Sequence, residues 1–376
     1  MSDYIPEEIL REILVRLPVR SLLRFTSVCK SWYSIIINPS FISLHLNRTL
    51  ANRKSNDDKL LLRVYTNNDR KEHYFVLSDD DKFGDEYMEI ECPIKSYFGY
   101  FRIVGRCNGL ICFCDDYFRD AQNVIIWNPS IRKTVSLPLP YKPQRPHMFV
   151  LGFGAHPITH EYKVVRIVYE KEDLHRFKVP SEVEIYTQAT GKWKGVNSAP
   201  PPYCMVEFSW SQVFLNGAVH WIAYDPSVVG AFRSLIVSFD MGEEVFREVI
   251  LPSALAEQRP TYLSVASFGE SLAVLCSAQM GRGASCVWVM KDFGLVESWT
   301  KLYSVNLPGV LDRTLGFRKN GEVLLSTTYN SLLSFDPGTR TIMNTGITGS
   351  SYSFNVDTFM ESLVLLKDKV VVPWRG

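Results

Sequence analysis

Short apolar segments separated by turn residues at a regular interval constrain the fold of this chain more than any other feature. Turn markers recur 44 to 59 residues apart between Asn128 and Pro337, and apolar segments rich in Val, Ile, Tyr, Phe and Trp lie on both sides of them. Pairs such as Asn108-Gly109 and Asn216-Gly217 precede most markers and are typical of tight β-hairpins. Because two hairpins make one four-stranded blade, the pattern predicts an all-β propeller-like domain of about six degenerate blades.

Closure of the ring follows from the same pattern. Five units are visible, and residues 60–91 are interpreted as a degenerate sixth. A strand near Phe359–Leu366 is expected to pair with an early strand, because that pairing would remove a free sheet edge. No long helical pattern interrupts residues 60–376, which argues against a parallel α/β sheet.

Residues 5–36 have a helical periodicity instead. The apolar residues of its first turns recur at the spacing of one helix face: Ile5, Ile9, Leu10, Ile13, Leu14 and Leu17. Leu17-Pro18 ends this helix, a second short helix follows, and a third ends at Asn38-Pro39. Three short helices cannot enclose all of these apolar residues, so one face is expected to meet another surface, either the protein's own larger domain or a partner. The predicted domains are residues 1–50, a polar linker over 51–59, and residues 60–376.

The charge balance excludes some classes of partner. The 376 residues include 41 Lys and Arg against 40 Asp and Glu, for a net charge of +1. This leaves no overall cationic field for nucleic acid or an anionic membrane, so neither is an expected partner. The first residues lack the basic and apolar segments of a secretory signal, and no apolar run reaches about 18 residues. We expect a cytoplasmic protein, and a nuclear location as well is left open.

No pattern of catalytic or metal-binding residues is recognisable. Cys112-Phe113-Cys114 fits one face of a strand and lacks the spacing of paired zinc ligands. His156 and His160 flank Pro157, which prevents helical ligation, and Gly152-Phe153-Gly154 matches only half of a phosphate-binding glycine pattern. We therefore expect no catalytic residue, no metal and no cofactor. The eight cysteines are interpreted as buried free thiols.

The segment Val28-Cys29-Lys30-Ser31-Trp32, with Ile5-Pro6 and the leucine pairs between them, resembles the F-box motif. The resemblance implies docking on a Skp-type adaptor and, through it, on a cullin. Ile5 stands where the family more often has leucine, a change of similar volume. The residues that the resemblance and the helical spacing assign to adaptor binding are Pro6, Ile9, Leu10, Ile13, Leu14, Leu17, Pro18, Leu22, Leu23, Val28, Cys29 and Trp32.

The larger region resembles the plant F-box-associated domain. The resemblance rests on segments that include Arg106–Leu110, Ile126–Ser130, Tyr162–Arg166 and Asn216–Trp221. It implies a non-catalytic substrate-recognition subunit of a Skp–cullin–F-box (SCF) ubiquitin ligase, which recruits a protein target for ubiquitination. The ending Met360–Leu366 looks most like the S-locus branch, whose ligand is a ribonuclease. A defence or developmental target is left open beside a ribonuclease.

Three connections are candidate target contacts, residues 79–86, 198–203 and 281–285, and the first two contain the residues singled out for it. Asp79, Asp80 and Asp81 begin an acidic cluster that would attract a basic partner, and Tyr203 follows a rigid run of prolines. Solvated loops without a function are the simpler interpretation of both. Two other functions remain open: a propeller enzyme or small-ligand-binding protein with a site in the central channel, and an inhibitor that docks on the adaptor but recruits nothing.

Overall fold

Four helices form the N-terminal part of the computed structural model. They are α1 (Glu7–Leu14), α2 (Val19–Phe25), α3 (Lys30–Ile36) and α4 (Pro39–Ala51). The structure describes residues 5–52, 59–96, 99–115, 123–140, 147–170, 182–205, 212–277, 284–307, 309–350 and 353–365. None of the helices in these ranges is long and apolar enough to cross a membrane.

The sequence did not predict α4. Asn38-Pro39 ends α3 as expected, but the same pair also starts the next helix, because a proline in the first turn needs no backbone N–H. The Asn38 side chain accepts a hydrogen bond from the Ser40 amide at 2.9 Å and caps α4. Most of the predicted linker lies outside the described residues, and its exact bounds stay a prediction.

The described part of residues 59–365 forms six antiparallel sheets arranged as blades. The strands are β1 (Lys59–Thr66), β2 (Lys71–Ser78), β3 (Tyr87–Glu89) and β25 (Asn355–Phe359) in blade 1; β4 (Arg102–Cys107), β5 (Leu110–Asp115), β6 (Asn123–Asn128) and β7 (Lys133–Ser136) in blade 2; β8 (His147–Ala155), β9 (Tyr162–Glu170), β10 (Glu182–Thr187) and β11 (Lys192–Gly195) in blade 3; β12 (Cys204–Met205), β13 (Gln212–Leu215), β14 (Ala218–Tyr224), β15 (Ser234–Asp240) and β16 (Phe246–Val249) in blade 4; β17 (Leu263–Phe268), β18 (Ser271–Cys276), β19 (Ala284–Met290) and β20 (Trp299–Asn306) in blade 5; and β21 (Leu311–Phe317), β22 (Val323–Thr327), β23 (Ser331–Phe335) and β24 (Ile342–Thr348) in blade 6. A short helix, α5 (Ser253–Ala256), lies between blades 4 and 5.

The six-bladed propeller predicted from the sequence is confirmed. The last strand, β25, pairs antiparallel with β1, so that Lys59 lies opposite Phe359 and Arg63 lies opposite Asn355. The closing strand therefore ends at Phe359, the residue at which the sequence predicted that it would start. Residues 360–365 do not continue the strand, because they pack between blade 2 and the helices instead.

The two faces of the propeller differ in what surrounds them. The turn Asn108-Gly109 of blade 2 and residues 49–51 at the end of α4 line the same mouth of the central cavity. Turns between the first and second strands of a blade lie on this helix-side face, and so do those between the third and fourth strands. Connections between second and third strands, and between consecutive blades, lie on the opposite face, here called the open face; Tyr203, Val229, Phe232 and Tyr329 lie in such connections.

Close packing between blades explains the glycines of Gly152-Phe153-Gly154. A Cβ atom on Gly152 would lie 2.2 Å from the Trp221 ring, and one on Gly154 would lie 2.4 Å from the Phe214 ring. The Trp221 indole donates a hydrogen bond to the Leu151 carbonyl at 3.1 Å, which holds the ring in this position. These glycines therefore make room for aromatic side chains of blade 4.

We expect Gly152→Ala to lower the free energy of unfolding by about 1–3 kcal/mol, because the hydrogen-bonded Trp221 ring cannot move away freely. Gly195→Ala is the matched control, since a Cβ at that strand glycine meets nothing within 4 Å. Urea unfolding of both variants checks the prediction. Equal stability of the two variants would contradict it.

His220 gives the fold a sensitivity to acid. It is fully buried in β14, where a ring nitrogen lies 3.2 Å from the Leu215 carbonyl oxygen. Burial disfavours the charged ring and lowers its pKa from 6.5 to about 4. As the pH falls below 6.5 the unfolded chain gains this proton before the native state does, so stability is lost between pH 6.5 and about 4.

We expect His220→Gln to remove about 3 kcal/mol of the stability change between pH 7 and pH 4, since glutamine does not titrate there. Urea unfolding of the variant and the unmodified chain at pH 7, 5 and 4 measures the difference. The same slope of stability against pH in both proteins would rule out His220 as the cause.

Candidate functional site

The apolar residues of α1 lie on two faces of the helix, and the single contact stripe expected from the sequence was wrong. Leu10 and Leu14 are buried in the core of the helical region, whereas Ile9 and Ile13 are 53% and 48% exposed. Ile5, just before the helix, is 52% exposed on the chain. Helical spacing places residues four apart on one side, so each pair forms its own row. The exposed row, Ile5, Ile9 and Ile13, is here called the α1 apolar face.

The other residues predicted to bind the adaptor also differ in exposure. Pro6, Pro18, Val28 and Cys29 are exposed, Leu17, Leu23 and Trp32 are half-buried, and Leu22 is fully buried. Leu22 belongs with Leu10 and Leu14 to the helical core. Because the chain itself covers these three leucines, they stabilise the packing of the helices. Only the exposed residues are accessible to a partner.

The segment Val28–Trp32 has a local structural role besides its exposure. The Cys29 Sγ accepts a hydrogen bond from the Trp32 amide at 3.5 Å and caps the start of α3. The Trp32 ring packs edge-on against Phe25 of α2, with centroids 5.1 Å apart. Capping and ring packing hold α2 and α3 in a fixed arrangement, with Val28 59% exposed between them.

The helices contact the propeller through a segment near residue 363 that the sequence did not single out, here called the Leu363 tie. Leu363, which follows the last strand, is 1% exposed and belongs to the same apolar core as Leu14 and Phe41. The Asn128 side-chain amide donates hydrogen bonds to the Ser362 carbonyl at 3.0 Å and the Val364 carbonyl at 2.7 Å. The only signal in the sequence was Asn128 itself, in the segment Ile126–Ser130 that carried the family resemblance.

The expectation of an exposed acidic cluster was wrong for Asp79. Its carboxylate is 3% exposed and accepts hydrogen bonds from the Arg318 guanidinium at 2.8 Å and the Lys319 amide at 2.7 Å. These contacts join the edge of blade 1 to blade 6. Asp79 is therefore a buried partner of Arg318 and is not available to attract a target.

Asp80 and Asp81 are exposed, but they do not lie on the same face as Tyr203. They follow β2 and precede β3, the third and fourth strands of blade 1, and so lie on the helix-side face. Tyr203 lies in the connection between blades 3 and 4, on the open face. It is half-buried, and burial together with a hydrogen bond to Glu248 raises its pKa. The third candidate connection, Gly281–Ser285, lies mostly outside the described residues.

The central channel holds a cavity of about 920 Å³. The inner strands β4, β13, β17, β21 and β25 line it, and Arg106 of β4 is one of the lining residues. The Arg106 guanidinium donates a hydrogen bond to the Asn355 side chain at 2.6 Å and lies 3.9 Å from the Asp357 carboxylate. Within the ranges that the structure describes, no group of three or more His, Cys, Asp or Glu side chains is arranged to hold a metal ion.

Two family models match the chain. Residues 3–44 match the F-box domain, and residues 88–364 match the F-box associated beta propeller domain. The chain belongs to the F-box proteins with an F-box-associated propeller. The family predicted from the sequence is thereby confirmed, and the F-box itself implies binding to a Skp1-type adaptor.

Relatives in Arabidopsis thaliana align with this chain over most of their length. The chain is 28% identical to "F-box protein At3g07870", over 89% of this chain and 85% of that protein. It is 30% identical to "F-box/kelch-repeat protein At3g23880", over 82% and 80% respectively. "F-box protein CPR1" is 26% identical over 96% of this chain and 89% of that protein. The finer likeness to the S-locus branch stays a prediction.

Proposed function

We propose that this F-box protein is a non-catalytic substrate-recognition subunit of an SCF ubiquitin ligase. The observation that carries the proposal is the α1 apolar face, which remains exposed although the helices have a packed core of their own. An exposed apolar row on a folded helix pair is a surface for a partner. The F-box match at residues 3–44 supports a Skp-type adaptor as that partner, through which the chain would reach a cullin.

The propeller presents the target, and the Leu363 tie supports a fixed geometry between the two parts. Ubiquitin transfer depends on the target lysine and the charged enzyme being held close together, which raises their effective concentration. A receptor that held its target on a loose linker would lose part of this advantage. Leu363 and Asn128 connect the helices with blade 2 and oppose such movement.

We place the target on the open face. Large apolar side chains are exposed in its connections, with Val229 at 94% and Tyr329 at 74%, and Leu139 and Phe232 are exposed as well. Tyr203 lies on the same face, where an aromatic side chain with a polar end suits a protein contact. Asp80 and Asp81 lie on the helix-side face with the F-box, and so they are the weaker candidates.

The test uses the full chain in complex with its adaptor. The chain and its Ile9→Asp, Ile13→Asp variant are expressed in plant cells, and proteins that become ubiquitinated only with the unaltered chain are identified. A target so identified must then bind the purified complex directly, and Val229→Asp, Tyr329→Asp must weaken that binding more than Asp80→Asn, Asp81→Asn. Direct binding that is unaffected by the first pair would place the target elsewhere.

Three further predictions concern the class of target, a second function and the location. A ribonuclease target and a role in self-incompatibility would require expression restricted to pollen, which transcript measurement tests. An enzyme with a site in the channel is the second candidate function, and the buried Arg106 beside the 920 Å³ cavity is the feature that favours it. The cytoplasmic and nuclear location stays a prediction, tested by a fluorescent fusion.

A further inference from the structure

Two cysteines lie side by side on neighbouring strands of blade 5. Cys276 is the last residue of β18 and Cys286 lies in β19, and the antiparallel register places them directly opposite each other. Both are free and half-buried, whereas Cys107, Cys112 and Cys204 are buried. The pair therefore combines proximity with access from solvent.

The register satisfies the geometric requirement of a disulfide. Residues directly opposite on antiparallel strands have Cα atoms about 4.5–5.5 Å apart. Disulfides join residues whose Cα atoms are roughly 4.4–6.8 Å apart. Cys276 and Cys286 can therefore be linked without separating β18 from β19.

The two thiols have different acidities, as a reactive thiol and its resolving partner require. A hydrogen bond from the Cys276 thiol stabilises the Cys286 thiolate, with a further contribution from Lys301, and lowers the pKa of Cys286 to about 7. The same hydrogen bond raises the pKa of Cys276. Burial instead raises the pKa of Cys92 to about 12, so that residue offers little thiolate at neutral pH.

We propose that Cys276 and Cys286 form a redox-sensitive modification site, which a hydroperoxide converts into a disulfide across β18 and β19. The Cys286 thiolate attacks one peroxide oxygen and the O–O bond breaks, giving a sulfenic acid and hydroxide when the oxidant is hydrogen peroxide. The Cys276 thiol then displaces the sulfenic hydroxyl as water, and the S–S bond forms. Overall the two thiols lose two electrons and two protons, and the peroxide becomes two water molecules.

The disulfide would act on the strand ends of blade 5 at the open face. Cys276 ends β18, the second strand, and Cys286 lies near the start of β19, the third strand. A covalent link between them would fix these two strand ends relative to each other. Where the open face receives the target, as proposed above, oxidation would change target binding; this consequence alone rests on the proposed function.

Peptide mapping of the full chain tests the site directly. The purified protein is treated with hydrogen peroxide at pH 7, free thiols are alkylated, and the chain is digested with trypsin. Arg282 is the only Lys or Arg between the two cysteines, so cleavage there separates them unless a disulfide joins the fragments. We expect a joined pair of peptides that dithiothreitol separates. Alkylated Cys276 and Cys286 after this treatment, or over-oxidised Cys286 without a disulfide, would overturn the proposal.

Single variants assign the two roles. In Cys276→Ser, dimedone should trap a sulfenic acid on Cys286, whereas in Cys286→Ser the remaining Cys276 should react at least about tenfold more slowly, because burial still raises its pKa after the hydrogen bond with Cys286 is lost. Cys92→Ser is the control and should form the disulfide at the rate of the unaltered chain. Equal peroxide reactivity of Cys276 and Cys286 in the single variants would refute the assigned roles. None of these measurements uses adaptor or target, so their failure would leave the SCF proposal intact.

Discussion

Replacing Ile9 and Ile13 together by Asp is expected to weaken binding of a Skp-type adaptor at least about 100-fold, since central apolar residues of an interface each contribute roughly 2 kcal/mol or more. Both side chains are about half exposed and outside the helical core, so the variant should fold. A carboxylate at either position would also have to be desolvated against the partner. Calorimetric titration with the purified adaptor measures the loss, and circular dichroism checks the fold.

Val229→Asp with Leu139→Asp is the matched control, because it places the same charges at exposed apolar residues of the open face. The control should bind the adaptor as the unaltered chain does. If both double variants lost binding equally, general aggregation would explain the result. If neither lost it, the α1 apolar face would not be the adaptor site.

Leu14→Ala would be a poor test of the same surface, although the sequence placed Leu14 among the adaptor-binding residues. Leu14 is buried among the helices, and truncating such a residue costs about 2–5 kcal/mol of stability. Weaker adaptor binding by that variant would reflect unfolded helices. The sequence could not separate Leu14 from Ile13, because helical spacing shows that a residue is on an apolar side and does not show what covers it. The cover includes Phe41 of α4, a helix that the sequence did not predict.

The propeller was predictable because its signals are local. Apolar strands alternate with turn residues in most blades, and hairpin turns such as Asn216-Gly217 recur with them at a period that can be read without any long-range contact. Contacts between distant parts of the chain were not predictable. Asp79 stood in an acidic run typical of a solvated loop, yet its partner Arg318 lies 239 residues away. The sequence likewise excluded Gly152 from a phosphate-binding pattern but did not show its contact with Trp221 in the next blade.

The connection between the two domains belongs to these long-range features. Residues 1–50 and 60–376 were predicted as separate units, but the helical core includes Leu363 from the far end of the chain. Deleting residues 1–45 would therefore expose this leucine, so loss of target binding in that variant would not show that the helices contact the target. A single substitution at Leu363 tests the connection with less disturbance.

We expect Leu363→Ala to destabilise the helical region by about 2–5 kcal/mol, because it removes most of a fully buried side chain between α1, α4 and blade 2. Amide exchange in α1 should become faster, and adaptor affinity should fall in proportion to the unfolded fraction. Val364→Ala is the matched control: the neighbouring side chain is only partly buried and packs on the core of blades 2 and 3. That variant should keep the exchange rates of α1 and the adaptor affinity.

The Leu363→Ala variant also tests whether Asn128 or Leu363 holds residues 362–364 on blade 2. Asn128 holds the backbone on both sides of Leu363 through the Ser362 and Val364 carbonyls, so the segment should stay on blade 2 even when the leucine is truncated. Exchange in β6 of blade 2 should therefore remain slow in Leu363→Ala while exchange in α1 accelerates. Faster exchange in both would mean that the leucine, and not Asn128, anchors the segment to the propeller. Unchanged exchange in α1 would show that the helices are stable without the Leu363 tie and that their position relative to the open face is fixed by other contacts.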